Sequence, residues 1–133
     1  MRRREFIAGC GASAIIASTG RVRAQDRVRR VGVLIPGGAS TQRNFDLALK
    51  THGWRPGQDL QIDYRDTGGD TEQTRVSARE LIALKPDVLF ALNTSMAALH
   101  AEATTIPTVF AMVSDPIAMH YVDSFARPGR NIT

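Results

Sequence analysis

The residues best suited to chemistry in this chain of 133 residues are small, polar and mostly neutral. They fall into two groups, each at the end of an apolar run: Asn93, Thr94 and Ser95 after residues 88–92, and Ser114 and Asp115 after residues 108–113. Amide and hydroxyl groups at such positions can cap a following helix, and they can also bind a ligand carboxylate beside its free N–H groups. Asp115 can cap the next turn or contact a ligand amine. Both interpretations of each group stay open at this level.

The sequence gives little support for catalysis. The three histidines are scattered without the spacing of metal ligands, and no serine lies in a Gly-x-Ser-x-Gly elbow. Gly37 and Gly38 follow the first apolar run, but neither the Gly-x-Gly-x-x-Gly spacing nor a phosphate-loop lysine accompanies them. We therefore predict no catalytic residue, no metal and no cofactor. Gly38 and Ser40 are weaker candidates for ligand contact, with a simple turn as the alternative.

Apolar runs predict four strands, at residues 28–35, 60–65, 88–92 and 108–113. Residues 88–92 are too few for a helix of a globular protein and lack polar alternation, so we expect both faces of this strand to be covered. Residues 60–65 alternate between apolar and polar, which favours an edge strand. Three helices are predicted between the strands: one after a loop at residues 37–41, one capped by Asp70, and one over residues 95–103 whose start the elbow 93–95 caps.

This alternation of strands and helices predicts an α/β fold with a doubly wound parallel sheet. Right-handed crossovers favour the strand order 2-1-3-4, with a switch point between strands 1 and 3. The loops at residues 37–41, 93–95 and 114–116 then meet at the carboxyl edge of the sheet. Ligands of open α/β sheets bind at that edge, so we expect a binding cleft there.

Residues 1–24 have the pattern of an export signal. Arginines precede a short, moderately apolar segment, and Val22 and Ala24 are the small residues before a plausible cleavage point. The paired arginines before Phe6 favour the twin-arginine export machinery. Cys10 lies too early for a lipoprotein signal, so no lipid anchor is expected.

The basic composition does not indicate a nucleic-acid partner. Five arginines and one glutamate in residues 1–24 account for the whole formal charge of +4, and residues 25–133 are neutral. A charge that is confined to a leader is poor support for phosphate binding.

Several segments, taken in order, resemble one family. They are Arg2-Arg3-Arg4-Glu5-Phe6-Ile7, Gly53-Trp54, Gly57-Gln58, Ile62-Asp63-Tyr64-Arg65, Ile106-Pro107-Thr108-Val109-Phe110, Asp115-Pro116 and Arg127-Pro128-Gly129-Arg130-Asn131-Ile132-Thr133. Together they resemble the N-terminal half of an ABC transporter substrate-binding protein of the group associated with tryptophan, tyrosine and related amino-acid uptake.

The resemblance implies a periplasmic protein with two α/β lobes that close over a small solute and then dock on an inner-membrane ABC permease. Residues 25–133 would be the N-terminal lobe, in a periplasmic-binding-protein-like (flavodoxin-like or Rossmann-like) architecture, and the second lobe would lie outside these residues. By resemblance and position, Asn93, Thr94 and Ser95 would bind the carboxylate of an amino acid or similar solute. Ser114 and Asp115 would bind its other polar end.

Two other classes of protein remain as alternatives. A Rossmann-like or flavodoxin-like enzyme fragment would need a glycine loop for phosphate or an acid after strand 2, for which Asp66 is a weak candidate. A response-regulator-like switch would need acids after strand 1, where this chain has Pro36, Gly37 and Gly38. The export signal disfavours both.

Overall fold

The structure, a computed structural model, describes residues 27–133, so the predicted export signal lies outside the described residues. Strands and helices alternate along the chain. Their bounds are β1 Arg29–Ile35, α1 Gly38–Thr51, β2 Leu60–Asp66, α2 Thr71–Ala83, β3 Val88–Leu92, α3 Ser95–Ala101 and β4 Thr108–Ala111. The four strands form one parallel sheet of order β2-β1-β3-β4, which confirms the predicted fold class and strand order.

Helices α2 and α3 pack on one face of the sheet and form the main core with it. Leu34, Leu81, Leu89, Ala91 and Leu99 are all buried there. The close approach of α2 to the sheet depends on Gly32, because a Cβ at that position would lie 2.8 Å from a Leu89 methyl group and 3.3 Å from Leu81. The start of α2 is fixed by Asp70, whose carboxylate accepts a hydrogen bond of 2.7 Å from the backbone N–H of Gln73.

Among residues 27–133, only α1 packs on the opposite face of the sheet, and it covers that face incompletely. Phe45 of α1 contacts Phe90 with ring centroids 4.7 Å apart, yet α1 has no fully buried residue. One helix, about 10 Å wide, spans roughly two strands at their spacing of about 4.8 Å. An apolar groove therefore remains beside α1, and Val88 and Phe90 line it. The expectation that β3 is covered on both faces is met only in part here, because Val88 and Phe90 are half-buried.

The edge of the sheet beyond β4 is paired with the last described residues. Ile132 forms an isolated parallel bridge with Thr108, whose N–H donates to the Asn131 carbonyl at 2.7 Å. The Asn131 side chain in turn donates to the carbonyls of Thr104 and Ile106, both at 2.9 Å. These bonds hold residues 131–133 against the start of β4.

Candidate functional site

The neighbouring strands β3 and β4 end in the same way. Asn93 directly follows β3 with φ of 55°, and Met112 directly follows β4 with φ of 58°. The Asn93 N–H donates to the Ala111 carbonyl at 2.9 Å, which ties the two strand ends together. Because both residues adopt the left-handed conformation, the chain turns sharply out of each strand at the carboxyl edge of the sheet.

A cleft of about 250 Å³ lies beside these two turns. Its lining residues are Asn93, Thr94, Ala97, Val113, Ser114, Met119 and Tyr121. The structure thus brings together three of the polar residues singled out from the sequence, Asn93, Thr94 and Ser114. All three are exposed, and together they offer one amide and two hydroxyl groups.

A turn at residues 115–121 supplies the apolar side of the cleft. The Asp115 carboxylate accepts a hydrogen bond of 3.0 Å from the Ala118 N–H, and the Tyr121 N–H donates to the Pro116 carbonyl at 2.9 Å. Asp115 does not line the cleft, so the structure shows the capping role that the sequence left open for it. That turn places Met119 and Tyr121 against the polar groups.

Ser95 lies behind the cleft rather than in it. Its side chain is 1% exposed, and its hydroxyl has no hydrogen-bond partner among residues 27–133. The prediction that the elbow caps α3 through a side chain is wrong, because no such bond forms. Thr94, at the cap position, has helical φ and ψ of −64° and −20°, whereas a capping side chain needs an extended backbone to reach the first turn.

The first βα connection does not share the cleft. The predicted loop at residues 37–41 is mostly helical, because α1 begins at Gly38. A Cβ at Gly38 would lie 3.7 Å from the Asp66 carboxylate, so Gly38 is near the end of β2, on the other side of β1 from β3. Ser40 is exposed on the first turn of α1. The weaker candidates Gly38 and Ser40 thus do not line the cleft that Asn93 and Ser114 line.

The cleft lining carries no formal charge. None of its residues is acidic or basic, and burial raises the pKa of the Tyr121 phenol, which stays neutral at ordinary pH. Tyr121 also stacks on His100 with ring centroids 4.8 Å apart. The arrangement can therefore hold a polar group by neutral hydrogen bonds and an apolar group by contact, without a charged partner.

Sequence reasoning missed the apolar lining of the cleft. The sequence places Val113 at the end of a predicted strand, and it places Met119 and Tyr121 in an irregular segment. Their contacts with the cleft depend on how the chain folds back after Pro116, which the sequence pattern does not show. One signal was available for Ala97. It lies three residues after Thr94 on α3, and residues at that spacing share a helix face.

Residues 27–133 contain no group of three or more histidine, cysteine, aspartate or glutamate side chains that could hold a metal ion. In the same part of the chain, no helix has the length and apolar character needed to cross a membrane.

A parallel α/β lobe with a polar cleft at its carboxyl edge is typical of domains that bind small ligands. The family model described as ABC transporter substrate binding protein matches residues 31–133. The chain therefore belongs to the ABC transporter substrate-binding protein family. This is a family of substrate-binding proteins rather than of enzymes, and its members are generally periplasmic or extracellular.

Individual relatives agree with this assignment. The chain is 29% identical over 93 residues to a tyrosine-binding protein of Clostridioides difficile, an alignment that covers 69% of this chain and 27% of the relative. The structure of a conserved domain protein from Vibrio cholerae superposes with a TM-score of 0.72 at 30% identity. The ligand-free, open structure of a Clostridium difficile substrate-binding protein with adhesive properties gives 0.70 at 29% identity.

A third structure, the ABC domain in complex with L-Trp from Streptococcus pneumonia, gives a TM-score of 0.69 at 24% identity and so supports the fold. In all three structural comparisons, 80% of this chain matches 38% of the other chain. The chain thus spans well under half the length of the relatives it matches.

Proposed function

We propose that residues 27–133 form the lobe on one side of the solute-binding cleft of an ABC uptake system, and that the solute is an amino acid. The observation that carries this proposal is the convergence of Asn93, Thr94 and Ser114 on one cleft at the carboxyl edge of the sheet. Family membership and the tyrosine-binding relative support the choice of an amino acid.

The proposed pose follows from the lining. The amide of Asn93 and the hydroxyl of Thr94 donate to the carboxylate, and Ser114 binds a second polar group of the solute. Val113, Met119 and Tyr121 contact the side chain, so an aromatic or large aliphatic amino acid fits better than a charged one. Ser95 supports this site from its buried position in the first turn of α3. Asp115 supports it by fixing the turn at residues 115–121.

One lobe alone should bind the solute weakly. The cleft of about 250 Å³ lies below the roughly 300–1,000 Å³ of complete small-molecule sites. Three hydrogen bonds at about 1 kcal/mol each contribute about 3 kcal/mol, less than the 4.1 kcal/mol that corresponds to a dissociation constant of 1 mM. The proposal therefore includes a second lobe that closes over the solute. It also includes export to the periplasm and delivery of the solute to a permease.

NMR titration of the ¹⁵N-labelled chain with amino acids tests the site. We expect millimolar or weaker binding of tyrosine or leucine that shifts the amide signals of Asn93, Thr94 and Ser114, and no matching shift with aspartate. Asn93→Asp adds a charge that repels the carboxylate and should abolish the shifts. Asn44→Asp, the same change on the exposed surface of α1, should not alter them. Shifts confined to other residues, or equal effects of the two variants, would contradict the assignment.

A further inference from the structure

A second cavity, of about 340 Å³, lies on the other side of Tyr121. It is bounded by α3, by the segment that leads into β4, and by the last described residues. The proposed solute cleft and this cavity share only Tyr121 in their linings, so they are separate sites.

The floor of this cavity is apolar and buried. Met96, Leu99 and Ile132 line it with at most 8% of their surface exposed. Beside them the backbone is held by side-chain hydrogen bonds, since Thr108 donates to the Ile106 carbonyl at 3.0 Å and Asn131 donates to the same carbonyl at 2.9 Å. An apolar group that enters the cavity would meet a preformed surface.

The rim of the cavity carries only neutral or basic groups. Arg130, His100 and His120 line it together with threonine hydroxyls, and no carboxylate is among its lining residues. Arg130 is exposed and forms no ion pair within 4.0 Å in the described part of the chain. A guanidinium beside imidazole and hydroxyl donors is suited to a carboxylate.

The nearby acids neither line the cavity nor pair with Arg130. Glu102 is paired with Arg79, whose Nε lies 2.9 Å from its carboxylate. Asp123 lies against Gly129, next to Arg130 in the chain, but no ion pair within 4.0 Å joins it to Arg130 in the described residues. The guanidinium of Arg130 therefore has no direct ionic partner in this part of the chain.

From these observations we infer that the cavity between α3 and residues 130–132 is a second binding site, specific for a small organic anion with an apolar body and a carboxylate. The apolar body packs on Met96, Leu99 and Ile132. The carboxylate accepts hydrogen bonds from Arg130 and from the hydroxyl of Thr105 at the exposed rim. Neither the polar residues of the solute cleft nor its proposed amino-acid specificity is involved.

Benzoate and benzamide test this site as a charged and a neutral probe of the same shape. In NMR titrations of the ¹⁵N-labelled 133-residue chain, benzoate should shift the amide signals of Thr104, Thr105 and His120 in a saturable way. Benzamide should bind about tenfold more weakly, because it lacks the charge that strengthens the bonds to Arg130. Equal affinity for the two probes, or no saturable shift with benzoate, would overturn the inference.

Variants locate the charge and separate this site from the solute cleft. Arg130→Gln should lower the affinity for benzoate about tenfold and leave benzamide binding unchanged. Arg127→Gln, which removes an exposed arginine three residues away that does not line the cavity, should have no effect. Asn93→Asp should also leave benzoate binding intact, so failure of one site does not imply failure of the other. Equal effects of the Arg130 and Arg127 variants would refute the assigned role.

Discussion

Met112 offers a direct test of how the strand ends shape the cleft. Its φ of 58° places a residue with a Cβ in the left-handed region, and its side chain is 75% exposed. This conformation costs a residue with a Cβ about 1–2 kcal/mol, whereas glycine adopts it freely but loses about 0.5–1 kcal/mol more backbone entropy on folding. Met112→Gly should therefore stabilise the fold by about 0.5–1 kcal/mol.

Met112→Ala is the matched control, because it removes the exposed side chain but keeps the Cβ and the backbone strain. We expect it to stay within about 0.5 kcal/mol of the unsubstituted chain. Urea denaturation followed by circular dichroism measures both variants, and calorimetry should show a higher Tm for the glycine variant by about 4 °C. If the glycine variant is no more stable than the alanine variant, the turn after β4 is not strained as argued.

Three further predictions concern the core, the cleft support and the tyrosines. Gly32→Ala should destabilise the fold by about 1–3 kcal/mol in urea denaturation, because its Cβ would meet a Leu89 methyl at 2.8 Å; an unchanged midpoint would contradict the tight packing. Ser95→Ala removes a buried hydroxyl without a partner in the described residues, so stability should hold or rise by up to about 1 kcal/mol, and a clear loss would reveal an unrecognised bond. Burial raises the pKa of both Tyr64 and Tyr121 above the ordinary value of 10.0, and a hydrogen bond to a carboxylate adds to this at Tyr64. The folded chain should therefore show less tyrosinate absorbance at pH 10 than the unfolded chain. Its unfolding free energy should fall as the pH rises above 10, because the folded state retains these two phenol protons. Half ionisation of the tyrosines in the folded chain at pH 10 would refute this.

The sheet was predictable because its order depends on features that the sequence carries locally. Each apolar run is short, each helix between two runs has one apolar side, and right-handed crossovers leave few topologies. The run 88–92 could not show that one of its faces lies half open, since its residues are apolar on both faces regardless of how many helices pack there. Coverage of a sheet face is set by the number of helices, which no single strand encodes.

The loop before α1 is shorter than the sequence indicated. Gly37 and Gly38 do form a turn, because Gly38 has φ of 61°, a left-handed value that glycine adopts without strain. The helix follows at once, so residues 39–41 are helical rather than part of a loop. Asn93 carries a comparable local signal. Asparagine tolerates the left-handed conformation, so its turn after β3 was readable in principle, whereas Met112 gives no such signal.

The two sites that we propose differ in how they would hold a carboxylate, and Tyr121 separates them. The solute cleft offers neutral amide and hydroxyl donors, which bind an anion without an ion pair and therefore release it at a modest cost. The second cavity adds the guanidinium of Arg130, whose charge-assisted bonds are roughly twice as strong as neutral ones. If the cleft beside Asn93 is the proposed solute site, its neutral donors suit release of the solute, because tight retention by one surface would oppose transfer. The inferred site beside Arg130 would instead hold an anion through charge-assisted bonds.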